Sequence, residues 1–161
     1  MAVEIERKFL VASDSWRGLV IRRQRMRQGY IAGNARASVR VRVAGDGAWL
    51  NIKGGGLVAV RPEFEYCIPA ADAEQLLALC EGPLVSKTRH WVPHGGLEWE
   101  IDEFDGDNEG LVVAEIELGF EAQEFARPNW LGKEVTELAR YYNVNLVKHP
   151  YRAWDETERS P

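Results

Sequence analysis

Two cysteines are all this 161-residue chain has, Cys67 and Cys80, and they form no CxxC pair. That excludes a disulfide framework and reads as reduced thiols. Histidine is as sparse: His90, His94 and His149 are scattered, so no His/Cys cluster suggests zinc. GxxxxGK[ST] is absent, and the glycine triplet Gly54-Gly55-Gly56 has no helical pattern after it, so it reads as a turn and not a phosphate loop. No apolar run is long enough to span a bilayer. The start enters a charged strand at once, so no signal peptide and a cytoplasmic location are expected. A surplus of positive charge is also missing. Lys plus Arg is 20 against 25 Asp plus Glu, a net charge of −5. That argues against nucleic acid as a partner of the whole surface but leaves room for a local basic pocket.

What is present is alternation. In MAVEIERKFLV, Val3, Ile5, Phe9 and Val11 share one parity while Glu4, Glu6 and Lys8 share the other. A strand sends successive side chains to opposite faces, so this one has an apolar face and a charged face. The pattern returns. Arg40 and Arg42 alternate with Val39, Val41 and Val43. Arg61, Glu63 and Glu65 alternate with Val60, Phe64 and Tyr66. Lys87 and Arg89 share a parity, as do Glu98, Glu100 and Asp102 in LEWEIDEF, and Glu115 and Glu117 in VVAEIEL. Lys53 shares its parity with Asn51.

Strands are predicted near 2–11, 20–32, 36–44, 47–54, 57–68, 84–93, 96–105 and 110–120, many joined by glycine-bearing turns that suit antiparallel neighbours. A helix fits 70–79, and helical pieces are predicted near 13–19, 121–126 and between 134 and 148, in a C-terminal helical segment of about 134–155. The tail to 161 is polar and reads as loose. No repeat, linker or low-complexity stretch divides the chain, and its length suits one domain.

A charged face is most often the wet face of a sheet. Here the charges are sorted, with some strands carrying only acids and others only bases. A solvated face prefers mixed signs. The bases are mostly arginine, which grips planar oxyanions in a fork. The fold expected is therefore α+β, mainly β: an eight-stranded antiparallel closed barrel with a charged lumen and a few covering helices. The apolar parity then faces outward. On strands 36–44 and 110–120 it needs cover, from the helices or from a second copy of the chain in a homodimer. A basic bank holds a polyanion. An acidic bank repels it unless divalent cations lie between, and clustered carboxylates are hard ligands for Mg2+ or Mn2+. Metal, polyphosphate and arginine clamp together describe phosphoryl transfer.

The ordered set EIERKFLV, RQGYI, SVRVR, LNIKG, EFEY, KTR, GGLEWEIDEFDG, GLVVAEIEL, WLGKEVT and YYNVNL resembles the CYTH domain, also called the triphosphate tunnel metalloenzyme superfamily, over nearly the whole chain. It looks most like the short bacterial stand-alone branch. The resemblance implies metal ligation by Glu4 and Glu6 and by the second acidic pair, Glu115 and Glu117. It implies phosphate binding by Lys8, Arg40, Arg42, Lys53, Lys87 and Arg89, with Arg61 on the same bank. Glu63, Glu65, Glu100 and Asp102 match further tunnel acids that bind a second metal, orient the bases or place the water.

The activity expected is metal-dependent hydrolysis of inorganic tripolyphosphate to pyrophosphate and phosphate. The alternatives are an organic-triphosphate enzyme (thiamine triphosphatase, nucleoside triphosphatase or class IV adenylate cyclase) and a polyphosphate-binding module without turnover. An organic group needs a stacking surface, for which Tyr30 and Trp91 are the candidates. The plainer reading makes Tyr30 tunnel wall and Trp91 and Trp99 core. Glu117 or Glu65 is expected to help the attacking water. Lys8 reads most simply as a phosphate clamp, and less simply as a general base with Tyr30. Gly132 marks a turn, and Lys133 and Glu134 either reach the tunnel mouth or form a surface pair.

Overall fold

The computed structural model describes residues 2–55 and 59–161. Gly56 of the glycine triplet and Leu57 and Val58, the first residues of the strand expected at 57–68, lie outside them. Nine strands are present: β1 (Ala2–Val11), β2 (Arg22–Gly33), β3 (Ala37–Ala44), β4 (Gly47–Gly54), β5 (Val60–Cys67), β6 (Val85–His94), β7 (Leu97–Phe104), β8 (Val112–Glu117) and β9 (Leu131–Glu134). Their order is β5-β4-β3-β2-β6-β7-β8-β1-β9, and β5 also pairs with β1, so eight strands close into a barrel and β9 hangs on β1. Every described pairing is antiparallel. Closure removes the exposed sheet edges that an open sheet of this length would carry.

The register decides what faces in. Glu4 lies opposite Arg61, Glu6 opposite Glu117 and Lys8 opposite Glu115. Around the ring, Glu100 meets Glu115, Arg89 meets Asp102, and Arg40 meets Asn51. The charged parity therefore runs continuously inside, and the hydrophobic cores form outside the barrel wall. The outward faces of β1, β6, β7 and β8 supply Phe9, Val92, Trp99, Ile101, Ala114 and Ile116, which pack with Trp16 of the 3-10 turn Ser15–Leu19 and with Trp130. Val41 and Ala48, on β3 and β4, are covered by Ala73 and Leu77 of helix α1 (Ala70–Ala78). Of the two outward faces that raised the homodimer, that of β8 is buried against the chain's own segments, whereas on β3 only Val41 is buried and Val39 and Val43 stay half-buried.

The inward row turns apolar at one end. Val85, Phe104 and Val113 continue the parity of Lys87, Asp102 and Glu115. They pack with Tyr141, Leu146 and Trp154 from the C-terminal segment, so that segment seats against one end of the lumen.

The C-terminal third departs most from the sequence-based expectations. Residues 121–126 form no helix. They run as a turn and extended chain whose Phe125 packs on Trp99 and Phe9. The helical piece expected over 134–148 is broken into a 3-10 turn (Ala139–Tyr141) and the short helix α2 (Asn143–Lys148). Gly132 is not a turn residue. It lies within β9, and a Cβ there would come within 2.8 Å of the Leu10 carbonyl oxygen, so glycine allows β9 to close on β1 where the register shifts. The tail is ordered into helix α3 (Glu156–Arg159) by a capping box: Asp155 accepts from the Glu158 amide, and Glu158 accepts from the Asp155 amide.

Candidate active site

One cavity of about 350 Å³ occupies the barrel interior. It is lined by Glu4, Glu6 and Lys8 of β1, Tyr30 of β2, Ser38, Arg40 and Arg42 of β3, Lys53 of β4, Arg61, Glu63 and Glu65 of β5, Lys87 and Arg89 of β6, Glu100 of β7, and Glu115 and Glu117 of β8. Every residue expected to hold metal, bind phosphate or take part in catalysis reaches this surface except Asp102; the stacking candidate Trp91 does not reach it. Adjacent strands β7, β8 and β1 carry most of the acidic bank; β3 carries two arginines across the lumen from β8, while β6, directly beside β7, carries a lysine and an arginine.

The banks are cross-linked. Lys8 Nζ donates to Glu115 at 2.5 Å and to Glu6 at 2.8 Å. Lys53 Nζ donates to Glu4 at 2.7 Å, and Arg61 donates to the other oxygen of Glu4 at 3.1 Å. Arg42 reaches Glu65 at 3.2 Å, where Asn51 also donates at 2.6 Å. Arg89 forks onto Asp102, with further bonds to Glu100 and Glu115. Arginine supplies the fork where one cation serves three carboxylates, and lysine sits where one point charge bridges two.

Two groups stand outside this pairing. Among the described residues, Arg40 has no carboxylate partner, and its buried Nε has no hydrogen-bond partner. Glu117 has no basic partner either. The Nε atoms of Arg42 and Arg61 and both ends of the buried Gln28 amide are likewise unpaired. Buried polar atoms without partners are rare; those of Arg40, Arg42 and Arg61 lie on side chains that line the lumen, while the indole nitrogens of Trp16, Trp99 and Trp130 lie in the outer core.

The electrostatics follow. Burial alone would lower the Lys8 pKa, but Glu115 and Glu6 overcome it and raise it above the usual lysine value. In this arrangement Lys8 is held as an ammonium. Burial raises the Glu115 carboxyl, as does Glu6, yet Lys8, Arg89 and Lys87 outweigh both and hold it down at about 2. Burial pushes Lys87 down to about 8, aided by Arg89 and opposed by Asp102. Burial and the neighbouring Arg40 and Arg89 pull Arg42 down to about 10. Partial burial and the carboxylates of Glu4, Glu6 and Glu63 push Glu117 up, and burial raises Tyr30. A carboxyl raised by its acidic neighbours marks a place short of positive charge.

Among the described residues, no three acidic, histidine or cysteine side chains converge on a ready-made cation site, because lysines and arginines hold most of the tunnel acids. The donor chemistry nevertheless fits a hard divalent cation: Glu117 stands unpaired beside Glu4, Glu6 and Glu63, an all-oxygen set with no soft ligand near.

The pattern reading missed the far wall. Tyr142, Asn143 and Val144 line the cavity from the C-terminal segment. Lys8 Nζ lies 5.0 Å and the Arg61 guanidinium 5.1 Å from the Tyr142 ring, and the Tyr142 hydroxyl donates to the Thr136 carbonyl at 2.6 Å. No periodicity announces this contact; its only signal is the YYNVNL string. Trp99 is wholly buried in the outer core. Trp91 is buried beneath the Arg22 guanidinium, 3.7 Å from its ring centre, and does not line the cavity. Glu134 does not reach the lumen: it takes a forked pair of bonds from Arg7, at 2.7 and 2.5 Å, on the outside.

Comparison with known proteins agrees with this architecture. The chain is 46% identical over 157 residues to the inorganic triphosphatase of Acetivibrio thermocellus, covering 97% of this chain and all of that one. It is 37% identical over 149 residues to the inorganic triphosphatase of Nitrosomonas europaea, covering 89% and 96%. The crystal structure of the inorganic triphosphatase NE1496 superposes with a TM-score of 0.64 at 34% identity, over 91% of this chain and 95% of that one. The CYTH domain model matches residues 2–151. With the family model spanning nearly the whole chain and the barrel closing around a doubly banked lumen, this chain belongs to the CYTH domain family.

Proposed function

We propose that this chain hydrolyses inorganic tripolyphosphate to pyrophosphate and phosphate inside the barrel, with Mg2+ or Mn2+ as cofactor. One observation carries the reading. Among the described residues, seven basic side chains and seven glutamates line the cavity, so the wall itself is balanced. A balanced wall gives a polyanion little net attraction; with cations on the acidic bank it becomes a strong anion site. The two triphosphatase relatives, matched over nearly their full lengths, support the substrate.

The aromatic content of the cavity wall, among the described residues, points the same way. The aromatic rings that line the cavity are Tyr30 and Tyr142, and the second already carries two cations on its ring. Trp91, the other candidate for stacking, is committed to packing, as is Trp99.

In this reading Glu4, Glu6, Glu115 and Glu117 would hold the divalent cation, with Glu63 and Glu100 nearby, and the ion would supply charge neutralisation for the phosphate oxygens. Arg40 anchors the anion first, because it surrenders no existing pair. Lys8, Lys53, Arg61, Arg42, Lys87 and Arg89 align and neutralise the remaining oxygens. Water attacks the terminal phosphorus in line, a P–O bond forms from that water, and the bridging P–O bond breaks to release pyrophosphate. The water's proton passes to a carboxylate. Glu117 suits this better than Glu65, because Glu65 is already held by Arg42 and Asn51. The protein is a single domain without a nucleic-acid or membrane partner in this account; no helix of the described residues is long and apolar enough to cross a membrane.

The test is phosphate release from tripolyphosphate, ATP, thiamine triphosphate and pyrophosphate, each with Mg2+, Mn2+ or EDTA. Metal-dependent release from tripolyphosphate, with little from the others, is expected. Preference for an organic triphosphate overturns the substrate, and tight tripolyphosphate binding without turnover moves the chain to the binding class.

A further inference from the structure

Asp102 is the one candidate acid that the lumen does not expose. It is completely buried and does not line the cavity. Both of its oxygens are occupied. Arg89 places its Nε on one at 2.7 Å and its Nη2 on the other at 2.8 Å, and Lys87 Nζ donates to that second oxygen at 2.6 Å.

The surroundings leave Lys87 and Arg89 dependent on it. The two cations stand two residues apart on β6 with the same parity, so they face the lumen side by side and repel. Arg89 lies opposite Asp102 in the register, and Asp102 reaches between the pair. Across the other edge of β6, Lys87 faces Met26, and across the other edge of β7, Asp102 faces Val113. Neither neighbour offers charge. Arg89 has further partners in Glu100 and Glu115, but among the described residues Asp102 is the only carboxylate within ion-pair distance of Lys87. A bidentate fork also fixes the plane of a guanidinium, which a single contact does not.

We infer that Asp102 is a positioning residue and not a metal ligand: from behind the wall it holds Lys87 and Arg89 side by side with their remaining N–H groups turned to the phosphate chain. The other tunnel acids face the cavity and can exchange a lysine or arginine for a cation. Asp102 has no free oxygen and no opening to the lumen, so it keeps its partners throughout. This role rests on the tripolyphosphate reading above.

The experiment pairs two direct binding measurements on Asp102→Asn. A methylene-bridged tripolyphosphate, whose P–C–P bridges water does not cleave, is titrated by calorimetry in the presence of Mg2+. Mn2+ alone is titrated by its electron paramagnetic resonance signal. The expected result is weaker binding of the phosphate analogue, on the order of 10- to 100-fold, which is about what losing one or two hydrogen bonds to a charged group costs, with Mn2+ binding unchanged. Lost Mn2+ binding, or unchanged analogue binding, overturns the role. Removing one member of a buried pair can unfold a protein. The double variant Lys87→Met/Asp102→Asn removes the pair together, and it is expected to bind the analogue more weakly than Lys87→Met alone, because Arg89 has lost its fork, while keeping Mn2+ binding. Equal analogue binding in the two, or loss of Mn2+ binding in the double, contradicts the inference. If the unsubstituted chain fails to bind the analogue, the substrate reading falls with it, whereas a change confined to Mn2+ in the variants overturns only the role of Asp102.

Discussion

The inner and outer faces of the same strands follow opposite rules. On β7, Trp99 and Ile101 are wholly buried outside the barrel among other apolar side chains, while Glu100 and Asp102, one residue away, sit in the wall of a charged lumen. The outer face is where water is excluded and stability is gained. The inner face gives up that gain. Its ion pairs seldom stabilise more than apolar packing of equal volume would. A surface that costs stability and is nevertheless built from eight strands in register is a binding surface. The division predicts that inner substitutions change function more than stability, and outer ones the reverse.

The sharpest way to break that division is Glu117→Gln. Glu117 is an exposed member of the inner row with no basic partner among the described residues, so its loss strands no buried charge. Turnover of tripolyphosphate is expected to fall on the order of 100-fold or more, as when a proton acceptor or metal ligand is removed. The melting temperature should stay as it is. A variant that keeps its rate would remove Glu117 from the chemistry, and one that keeps its rate but unfolds early would reverse the rule for this residue.

Trp99→Ala probes the other face. The ring packs edge-on against Phe9, Phe125 and Trp130. Its removal is expected to cost about 3–5 kcal/mol, read by urea unfolding, with KM for tripolyphosphate unchanged at a temperature where the variant is folded. Gly132→Ala is smaller. The added methyl meets the Leu10 carbonyl, and a cost of about 1–3 kcal/mol is expected, by analogy with overpacking. Unchanged stability would mean that β9 is not closely docked.

The smallest effect concerns Glu134. The forked bonds from Arg7 outweigh burial, and together with Thr136 they hold its carboxyl below the ordinary value of 4.5. The unfolded chain therefore takes up the proton first as pH falls. The pair's contribution is complete above the ordinary carboxylate range and is lost as pH drops through the depressed folded value. Melting curves of the native chain and Glu134→Gln should differ modestly at pH 7 and converge toward pH 3. A difference independent of pH would mean that the ion pair is not its source.

Much of this was legible in the sequence because strands have a period of two. Glu4, Glu6 and Lys8 announce an inner row by parity alone, and such rows on seven of the eight predicted strands, many of them joined by short turns, imply closure. Parity does not report depth. It groups Asp102 with Glu100, for which the resemblance leaves open binding a second metal, orienting the bases or placing the water, whereas the register and the hydrogen bonds set Asp102 against Lys87 and Arg89. It also says nothing of segments without a period. Residues 121–131 are held by Phe125 and Trp130 entering the outer core, and Tyr142 reaches the lumen through tertiary packing of a broken helical stretch. Gly132 was read as a turn because glycine signals turns and close approaches alike, and only the neighbouring Leu10 carbonyl tells them apart.

The most direct measurement is a crystal structure with the methylene-bridged tripolyphosphate and Mn2+, the metal located by its anomalous scattering. The account predicts Mn2+ on the inner carboxylates of β1 and β8, the phosphate chain against Arg40, Arg42, Lys87 and Arg89, and Asp102 still bound to its two cations. Metal or phosphate found outside the barrel, or an empty lumen in a chain that turns over tripolyphosphate, would contradict it.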